Sequence, residues 1–245
     1  MSISKLHIPS MPLAANVCNQ MLREVERNEF WSMAHVVMNP GAFSLLHEHK
    51  KMSEIYIITK GCGELVIGNI HAQSSYYVQA GHVVLIPTEV PHQLLNTGVT
   101  CLEHLVLADP PFDPVDILPH GHSNFAPTES KRLLLPPVQE CCDGAKIIPY
   151  DFGDIEQSFA FGWVINDIDR IKSPHYHKRS TEWIYVVEGS GAIKGDHEGM
   201  PICAGDWIRI DPGTFHSLEN WKGQYMVALC MCSPKFDPAD VYYQF

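Results

Sequence analysis

The chain has 245 residues, of which 45% are hydrophobic and 10% aromatic, so it can bury a core and is not expected to be disordered. Its 17 basic and 28 acidic residues give a formal net charge of −11, which argues against nucleic acid as a partner because phosphates would be repelled. The sequence lacks a long apolar run, and its first residues lack an apolar stretch behind basic ones. We therefore expect no membrane-spanning helix and no secretion signal, and we predict a cytoplasmic protein.

Short stretches rich in Val, Ile, Tyr and Trp, bounded by Gly, Pro or Asn, recur along the chain and are typical of β-strands. In chain order they are residues 30–38, 54–59, 82–87, 182–189 and 206–212. A weak helical period is predicted for residues 15–28. Closely spaced short strands favour an all-β sandwich or barrel fold.

The eight cysteines include no C-x-x-C pair, which argues against a zinc knuckle and a thioredoxin-like site. In a cytoplasmic protein of this length we expect reduced thiols. Two close pairs, Cys141 with Cys142 and Cys230 with Cys232, are interpreted as packing or surface residues, with a redox role as the alternative.

The sequence contains an internal duplication. Residues 107–117 (LADPPFDPVDI) recur as residues 231–241 (MCSPKFDPADV), with the shared frame P-x-F-D-P-x-D at an offset of 124 residues. Upstream, residues 47–61 match residues 175–189 at an offset of 128, a length change that suits a surface hairpin loop. We predict two similar domains, residues 1–118 and 148–245, joined by a linker at 119–147 that is rich in Pro, Gly and Ser.

Each copy contains three histidines and one glutamate at matching positions. They are His47, His49, Glu54 and His92 in the first copy, and His175, His177, Glu182 and His216 in the second. A His-x-His pair on a strand projects both imidazoles to one face, and three imidazoles with a carboxylate suit a divalent Fe, Mn, Co, Ni, Cu or Zn ion. A single His-x-His pair is more often a packing pair, but a barrel has no structural need to bury this set twice, since unpaired buried charge is costly. One metal ion in each domain is therefore predicted.

These residues resemble the two motifs of the cupin superfamily. The first motif, G-x5-H-x-H-x4-E-x6-G, is met from Gly41 to Gly61, and the second, G-x5-P-x-G-x2-H-x3-N, from Gly81 to Asn96, with Glu89 in place of its second glycine. The second copy departs from the motifs at Asp169 and Asp211, which replace a glycine and a proline and are not ligands. The resemblance covers roughly residues 30–117 and 158–241. It implies a bicupin, an all-β protein of two tandem double-stranded β-helix barrels, jelly-roll-like, each with a metal inside.

Residues near the ligands in sequence are candidates for supporting roles. Strand alternation places Tyr56, Asn96 and Asn220 on the ligand side. Tyr56 is a candidate hydrogen-bond donor beside the metal, with simple packing as the alternative, and Arg209 is a candidate anion clamp, with an outward surface position as the alternative. The pockets are otherwise expected to be apolar, which favours an organic substrate with a hydrophobic body over oxalate.

A metal with four protein ligands that prefers six-coordination keeps two positions for water, dioxygen or substrate. The leading hypothesis is a metal-dependent enzyme acting on a small organic molecule, by dioxygenation, decarboxylation or isomerisation. A non-catalytic binding or sensor protein and a storage-like protein are the alternatives, the latter disfavoured because both ligand sets are complete. The first copy matches the motifs more fully and is slightly preferred as the catalytic one. Association into a homodimer is a further expectation from the resemblance.

Overall fold

The computed structural model describes residues 2–16, 20–69, 71–120, 130–140, 145–165, 174–195, 199–221 and 225–243. Within these residues the chain is nearly all β, as the sequence predicts, and none of its helical segments is long and apolar enough to cross a bilayer. Short 3-10 turns occur at Ile8–Ser10, Pro114–Asp116 and Pro238–Asp240. The chain divides into a first barrel unit, Met11–Leu135, and a second barrel unit, Met1–Ser10 with Pro136–Phe245.

The first barrel unit consists of two sheets whose inner faces share one core. The strands of one sheet, in hydrogen-bonded order, are β2 (Met21–Arg27), β3 (Ser32–Met38), β10 (Leu102–Asp109), β5 (Ser53–Lys60) and β8 (Val83–Ile86). Those of the other are β11 (Ile117–Pro119), β4 (His47–His49), β9 (His92–Leu95), β6 (Cys62–Ile67), β7 (Ser74–Gln79) and β12 (Ser130–Arg132). Alternate apolar residues of both sheets, among them Ile58 and Leu65, pack into a single buried cluster. This burial is the main source of stability of such a two-sheet unit.

The second barrel unit repeats this plan with one long central strand. Its main sheet runs, in hydrogen-bonded order, β1 (Ile3–His7), β19 (Asp206–Ile210), β17 (Thr181–Lys194), β21 (Tyr225–Ser233), β15 (Ser158–Ile165), β14 (Lys146–Tyr150) and β13 (Gln139–Glu140). Two further strands, β18 (Met200–Cys203) and β20 (Ser217–Asn220), pair with the end of β17, and β16 (His175–His177) pairs with β22 (Val241–Tyr243). β17 thus corresponds to β5 and β6 together. It has a bulge between Val186 and Glu188 within its pairing with β21, and beyond the bulge its residues from Ser190 onward pair with β18 and β20.

The division of the chain differs from the predicted domains 1–118 and 148–245 at both boundaries. β1 pairs antiparallel with β19, so residues 1–10 belong to the second barrel unit and not to the first. The predicted linker 119–147 is shared between the units, because β12 pairs with β7 while β13 and β14 extend the sheet of the second unit. Extended segments fill open sheet edges, where backbone groups need partners, and composition does not reveal which edge they fill.

The helix predicted from the sequence period of residues 15–28 is wrong. Residues 21–27 form β2, which pairs with β3 and has a bulge between Glu24 and Glu26. Val25, at the bulge, is buried. The irregular spacing that a bulge introduces resembles a helical period in the sequence, and pairing with β3 decides the structure.

Candidate metal centres

The first ligand group consists of His47, His49, Glu54 and His92. β4 carries the two histidines of the His-x-His pair, β5 carries the glutamate and β9 begins at His92. β4 pairs with β9 at His47 opposite His92. All four side chains are buried, and their donor atoms lie within 4.8 Å of one another. The structure therefore brings the four predicted ligands of the first copy to one point.

Backbone carbonyls orient two imidazoles of this group. Nδ1 of His47 lies 2.9 Å from the carbonyl oxygen of Leu45, and Nδ1 of His92 lies 2.9 Å from that of Val90. When Nδ1–H donates to a carbonyl, the neutral ring keeps the lone pair of Nε2 for a metal ion. These contacts therefore set the tautomer that metal binding requires.

Glu54 supplies the negative charge of the first group. Its Oε2 lies 2.9 Å from Nε2 of His92 and 3.6 Å from Nε2 of His49. Burial raises the pKa of Glu54, but the neighbouring imidazoles of His49 and His92 outweigh burial and hold this pKa well below its usual range. Burial, reinforced by the neighbouring His92, lowers the pKa of His47 to about 4. At neutral pH the group therefore offers a carboxylate and a neutral His47 imidazole, the forms that bind metal.

The second ligand group repeats this arrangement with His175, His177, Glu182 and His216. His175 and His216 exchange backbone hydrogen bonds of 3.0 and 2.8 Å, and Nδ1 of His216 lies 2.9 Å from the carbonyl oxygen of Thr214. Oε2 of Glu182 lies 2.9 Å from Nε2 of His216 and 3.4 Å from Nε2 of His177. Burial raises the pKa of Glu182, but hydrogen bonds from His177 and His216 hold it well below its usual range.

The donor atoms fit a divalent transition metal ion. Both ring nitrogens of His49 and Nδ1 of His177 are buried without a hydrogen-bond partner among the described residues. A buried polar atom without a partner is costly, and a metal ion in the first group would provide one for Nε2 of His49, the nitrogen that faces Glu54. Three nitrogens with one carboxylate favour Fe, Mn, Co, Ni, Cu or Zn over Ca and Mg, which prefer oxygen ligands.

The repeated frame P-x-F-D-P-x-D fastens the turn between the His-x-His pair and the glutamate. In the first barrel unit, Oδ2 of the buried Asp116 accepts hydrogen bonds from the backbone N–H groups of Lys51 and Met52, at 3.0 and 3.2 Å. In the second, the buried Asp240 accepts hydrogen bonds from the equivalent pair of N–H groups, also at 3.0 and 3.2 Å. The sequence alone shows this repeated frame but not its role. The frame keeps the spacing of the ligand residues the same in both units.

Glu89 adopts a left-handed backbone conformation, with φ of 61°, at the position where the cupin motif has glycine. Its N–H donates to the carbonyl oxygen of His49 at 2.6 Å, and the equivalent Gly213, with φ of 77°, donates to that of His177 at 2.7 Å. The departure from the motif therefore leaves the turn unchanged, at the cost of a conformation that favours glycine.

A cavity adjoins each ligand group. The first cavity has a volume of about 140 Å³, and His47 and Glu54 line it together with Tyr56 and His104. The second cavity has a volume of about 270 Å³, and all four residues of its ligand group line it. Of the described residues that line the two cavities, none is Arg or Lys. Among the residues that the structure describes, the two cavity walls thus offer no fixed cation that would pair with a carboxylate away from the metal.

Tyr56 lies in the wall of the first cavity, as its position in β5 predicts. Its ring centroid is 5.7 Å from that of His92 and 5.2 Å from that of His104. His104 is a cavity residue that sequence analysis missed. The signal was present, because strand alternation places His104 on the same face of β10 as Val106 and Ala108, which also line this cavity. The first cavity is therefore more polar than predicted.

The side chains of the two candidate asparagines, Asn96 and Asn220, donate hydrogen bonds to backbone carbonyls and do not line the cavities. Nδ2 of Asn96 donates to the carbonyl oxygens of Met38 and Thr100, at 2.9 and 2.8 Å. Nδ2 of Asn220 donates to that of Val164 at 2.9 Å. Each asparagine ties the end of a ligand-bearing segment to the neighbouring sheet, β3 in the first barrel unit and β15 in the second.

Arg209 occupies the outward position that was weighed against an anion clamp. Its side chain is 48% exposed, and its Nε donates to Asp211 Oδ1 at 3.2 Å. Its guanidinium lies over the ring of Trp183 at 5.8 Å from the centroid. Trp183 follows the ligand Glu182 directly in β17, so strand alternation turns it away from the second ligand group.

One of the two close cysteine pairs, Cys230 with Cys232, lies on β21 of the second barrel unit. Cys230 and Cys232, which form no disulfide among the described residues, lie in the wall of the second cavity, and burial raises the pKa of Cys232 well above its usual range. A thiol that stays protonated is a poor nucleophile, in keeping with a packing role. Cys141, Cys142 and Asp169 lie outside the described residues.

Comparisons with known proteins agree with this geometry. The family model described as "Cupin domain" matches residues 34–107 and 168–232, one segment in each half. Uncharacterized protein MJ1618 of Methanocaldococcus jannaschii is 32% identical over 85 residues, 35% of this chain and 65% of that protein. Auxin-binding protein 1 of Arabidopsis thaliana is 26% identical over 125 residues, 49% of this chain and 60% of that protein. The matches thus span less than two thirds of the length of both relatives.

Solved structures of oxalate decarboxylase from Bacillus subtilis are similar across both halves. The structure at pH 4.6 has a TM-score of 0.68 and 15% identity, and the match covers 95% of this chain and 77% of that chain. A single-residue variant of that enzyme also has a TM-score of 0.68 and 15% identity, with 95% and 78% covered. At this identity the likeness concerns the fold, two tandem barrels of the same kind.

Proposed function

The chain belongs to the cupin domain family, and from that premise we propose that it is a metal-dependent enzyme that acts on a small organic molecule. It holds one divalent transition metal ion in each barrel. The observation that carries the proposal is the pairing, in both units, of a group of three histidines and one glutamate, buried apart from the half-buried His175, with an adjoining cavity. A purely structural barrel has no need of either feature twice.

The ligand set leaves room for substrate. Four protein ligands on an ion that prefers six-coordination keep two positions for water, dioxygen or a substrate oxygen pair. When bound, such an ion supplies Lewis acidity and, if redox-active, electron transfer to or from dioxygen. The chain's own residues orient the imidazoles, hold the glutamate ionised and surround the substrate with mostly apolar wall, which excludes bulk water.

The described cavity walls favour an organic substrate with a hydrophobic body over oxalate. Oxalate would present a second carboxylate, and no Arg or Lys occurs among the described residues that line the cavities. We propose a dioxygenase-type oxidoreductase first, and a decarboxylase or isomerase of a monoacid or neutral substrate second.

A non-catalytic metal-containing binding or sensor protein is the second candidate function. One similar protein is, by its name, an auxin-binding protein. The apolar second cavity, with all four ligand residues in its wall, would suit this role equally well. Turnover decides between the two candidates, because a binding protein would retain a ligand without consuming dioxygen or releasing product.

Elemental analysis of the protein, purified without added metal or chelating tags, tests the proposal. We expect about two equivalents of a transition metal, with His49→Ala and His177→Ala each losing about one, because each removes a ligand of one group. The exposed His71, which is outside both groups, provides the matched control His71→Ala, which should retain both equivalents. Less than about a tenth of an equivalent, without uptake on incubation with Fe, Mn, Ni, Cu, Co or Zn, would refute the metal sites.

Turnover is then sought with the metal-loaded protein. Oxygen uptake with a panel of small organic acids, phenols and enols should be lost in the variant of the catalytic barrel and kept in the other. If the loaded protein binds such compounds but consumes no oxygen and releases no product, the binding function replaces the enzymatic one.

A further inference from the structure

The walls of the two cavities differ at positions that the duplication makes equivalent. Tyr56 of the first cavity corresponds to Ile184 of the second, and His104 corresponds to Ala228. The strand registers agree with these offsets, since His104 pairs with Ile58 across β10 and β5, and Ala228 pairs with Val186 across β21 and β17. Two polar side chains are therefore particular to the first barrel.

His104 is an unusual residue for a cavity wall. It is 2% exposed, and its Nδ1 has no hydrogen-bond partner among the described residues. Burial, reinforced by nearby His35, lowers the pKa of His104 to about 3, so the ring is neutral and offers both a donor and an acceptor nitrogen. Burying such a nitrogen without a partner carries a free-energy cost that Ala228 avoids in the second barrel.

Tyr56 connects His104 to the ligand group. Its ring lies edge-on to His92, with centroids 5.7 Å apart, and tilted against His104, with centroids 5.2 Å apart. His47 and Glu54 line the same cavity. A molecule inside this cavity therefore has the ligand group within reach on one side and a polar pair, Tyr56 and His104, within reach on another.

On the basis of the proposed function, we propose that Tyr56 and His104 form a polar subsite that binds a neutral hydroxyl or carbonyl oxygen of the substrate in the first cavity. The substrate class is a compound of about the size of benzene, because a cavity of roughly 150 Å³ accommodates benzene. One oxygen of the substrate reaches the ligand group and a second, uncharged oxygen reaches the subsite. A second carboxylate is disfavoured, since none of the described residues lining this cavity is Arg or Lys.

Two isosteric probes, 3-fluorophenol and 3-fluorotoluene, isolate the contribution of one hydroxyl. Their Kd values at the first cavity are measured from the methyl resonances of Val36 and Val106, both of which line it, in NMR titrations. The variants are Tyr56→Phe, which removes only a hydroxyl, and His104→Leu, which keeps the bulk of the ring and removes its polarity. Val106→Ala is the matched control, because it truncates an apolar side chain on the same face of β10, and Val36 reports binding in that variant.

We expect both variants to shift the ratio of the two Kd values toward 3-fluorotoluene by about 3- to 10-fold, the effect of one hydrogen bond, with no such shift in Val106→Ala. Tyr56→Phe keeps the measurement decisive if His104→Leu does not fold. A ratio within about twofold of wild type in the variants that fold would overturn the subsite, as would the absence of any shift of the Val36 and Val106 resonances with either probe.

The titrations are performed on metal-free and on zinc-loaded protein, so that this inference and the proposed function fail separately. Absence of metal uptake in elemental analysis would remove the proposed function, whereas the ratio measured on metal-free protein would still test the subsite. A confirmed metal site with an unchanged ratio would remove the subsite alone.

Discussion

The wall of the first cavity contains Val36, Tyr56 and His104, whereas the equivalent positions of the second cavity contain Gly162, Ile184 and Ala228. In each unit the first and last of these residues are register partners on adjacent antiparallel strands. His104 pairs with Val36, and Ala228 pairs with Gly162. The second cavity, with the smaller pair in its wall, has a volume of about 270 Å³, and the first has about 140 Å³. Meanwhile the ligand groups and the turns that hold them are the same.

This contrast separates two kinds of constraint on a duplicated barrel. Metal ligands must converge within a fixed distance, so the His-x-His strand, its turn and the buried aspartate that fastens the turn are all present twice. The side chains that line a cavity need only fill space or leave it open, so they can differ according to the molecule that binds there. The two barrels therefore differ in their cavity walls and agree in the residues that would hold a metal ion.

The largest effect on stability is expected for substitution of the buried Asp116 and Asp240. These substitutions test whether the two aspartates hold equivalent turns. Asp116→Ala and Asp240→Ala should each lower the free energy of unfolding of their unit by about 2–4 kcal/mol, because two backbone N–H groups lose a charged acceptor. Urea denaturation of each variant measures the loss. Asp113→Ala and Asp237→Ala, which remove exposed caps of the neighbouring 3-10 turns, are controls expected to cost less. Asp240 also pairs with Nε of Arg179 at 3.2 Å, so Asp240→Ala should cost at least as much as Asp116→Ala, and a smaller loss would contradict the equivalence.

Low pH should remove the stabilisation that the buried Asp116 and Asp240 carboxylates provide in the two units. Burial raises the pKa of Asp116 and of Asp240, but hydrogen bonds from backbone N–H groups outweigh it and leave both pKa values below the ordinary value. Since the folded pKa is depressed, the contribution to stability is complete above about pH 4, the unfolded pKa, and is lost as pH falls through the lower folded pKa. Urea midpoints of wild type and of Asp116→Asn should therefore converge below about pH 4. A gap that stays constant at low pH would be evidence against the charged acceptor.

In the turn before the last ligand histidine, one unit has Glu89 where the other has Gly213, so substitutions in opposite directions can be compared. Gly213→Ala should destabilise the second barrel unit by about 1–2 kcal/mol, because its φ of 77° lies in the left-handed region. Glu89→Gly should be neutral or stabilise the first by up to about 1 kcal/mol, since relief of the same strain is offset by the flexibility of glycine when unfolded. Thermal unfolding measures both effects. A clear loss of stability in Glu89→Gly would mean that the Glu89 side chain contributes more than its backbone strain costs.

The smallest effect is expected where the second cavity is widest. A Cβ at Gly162 would lie 3.5 Å from Cγ2 of Ile147, an ordinary contact, so Gly162→Ala should stabilise the second barrel unit by about 0.5 kcal/mol while narrowing its cavity. Gly191→Ala in the same unit is the control, because a Cβ there would lie 2.0 Å from the backbone oxygen of Glu219 and must destabilise. If Gly162→Ala destabilises as well, the open space of the second cavity is needed for folding rather than for a ligand.

The amino-acid sequence by itself determined the all-β class, the duplication and the residues of both ligand groups. Strand alternation and the spacing of His-x-His and glutamate are local properties of the chain, and their repetition at constant offsets made the pattern specific. The alternation also placed Tyr56 in the first cavity and turned Trp183 away from the second ligand group. These features follow from neighbours in sequence.

Only the tertiary structure decided the features that depend on pairing between distant segments. Residues 1–10 complete a sheet edge of the second barrel unit, and residues 21–27 form a bulged strand on β3 instead of a helix. His104 becomes a cavity residue because β10 lies between β3 and β5, and Asp116 fastens a turn 64 and 65 residues earlier in the chain. Which sheet edge is open, and which buried donor lacks an acceptor, is a property of the folded chain, because both are settled by contacts between segments far apart in sequence.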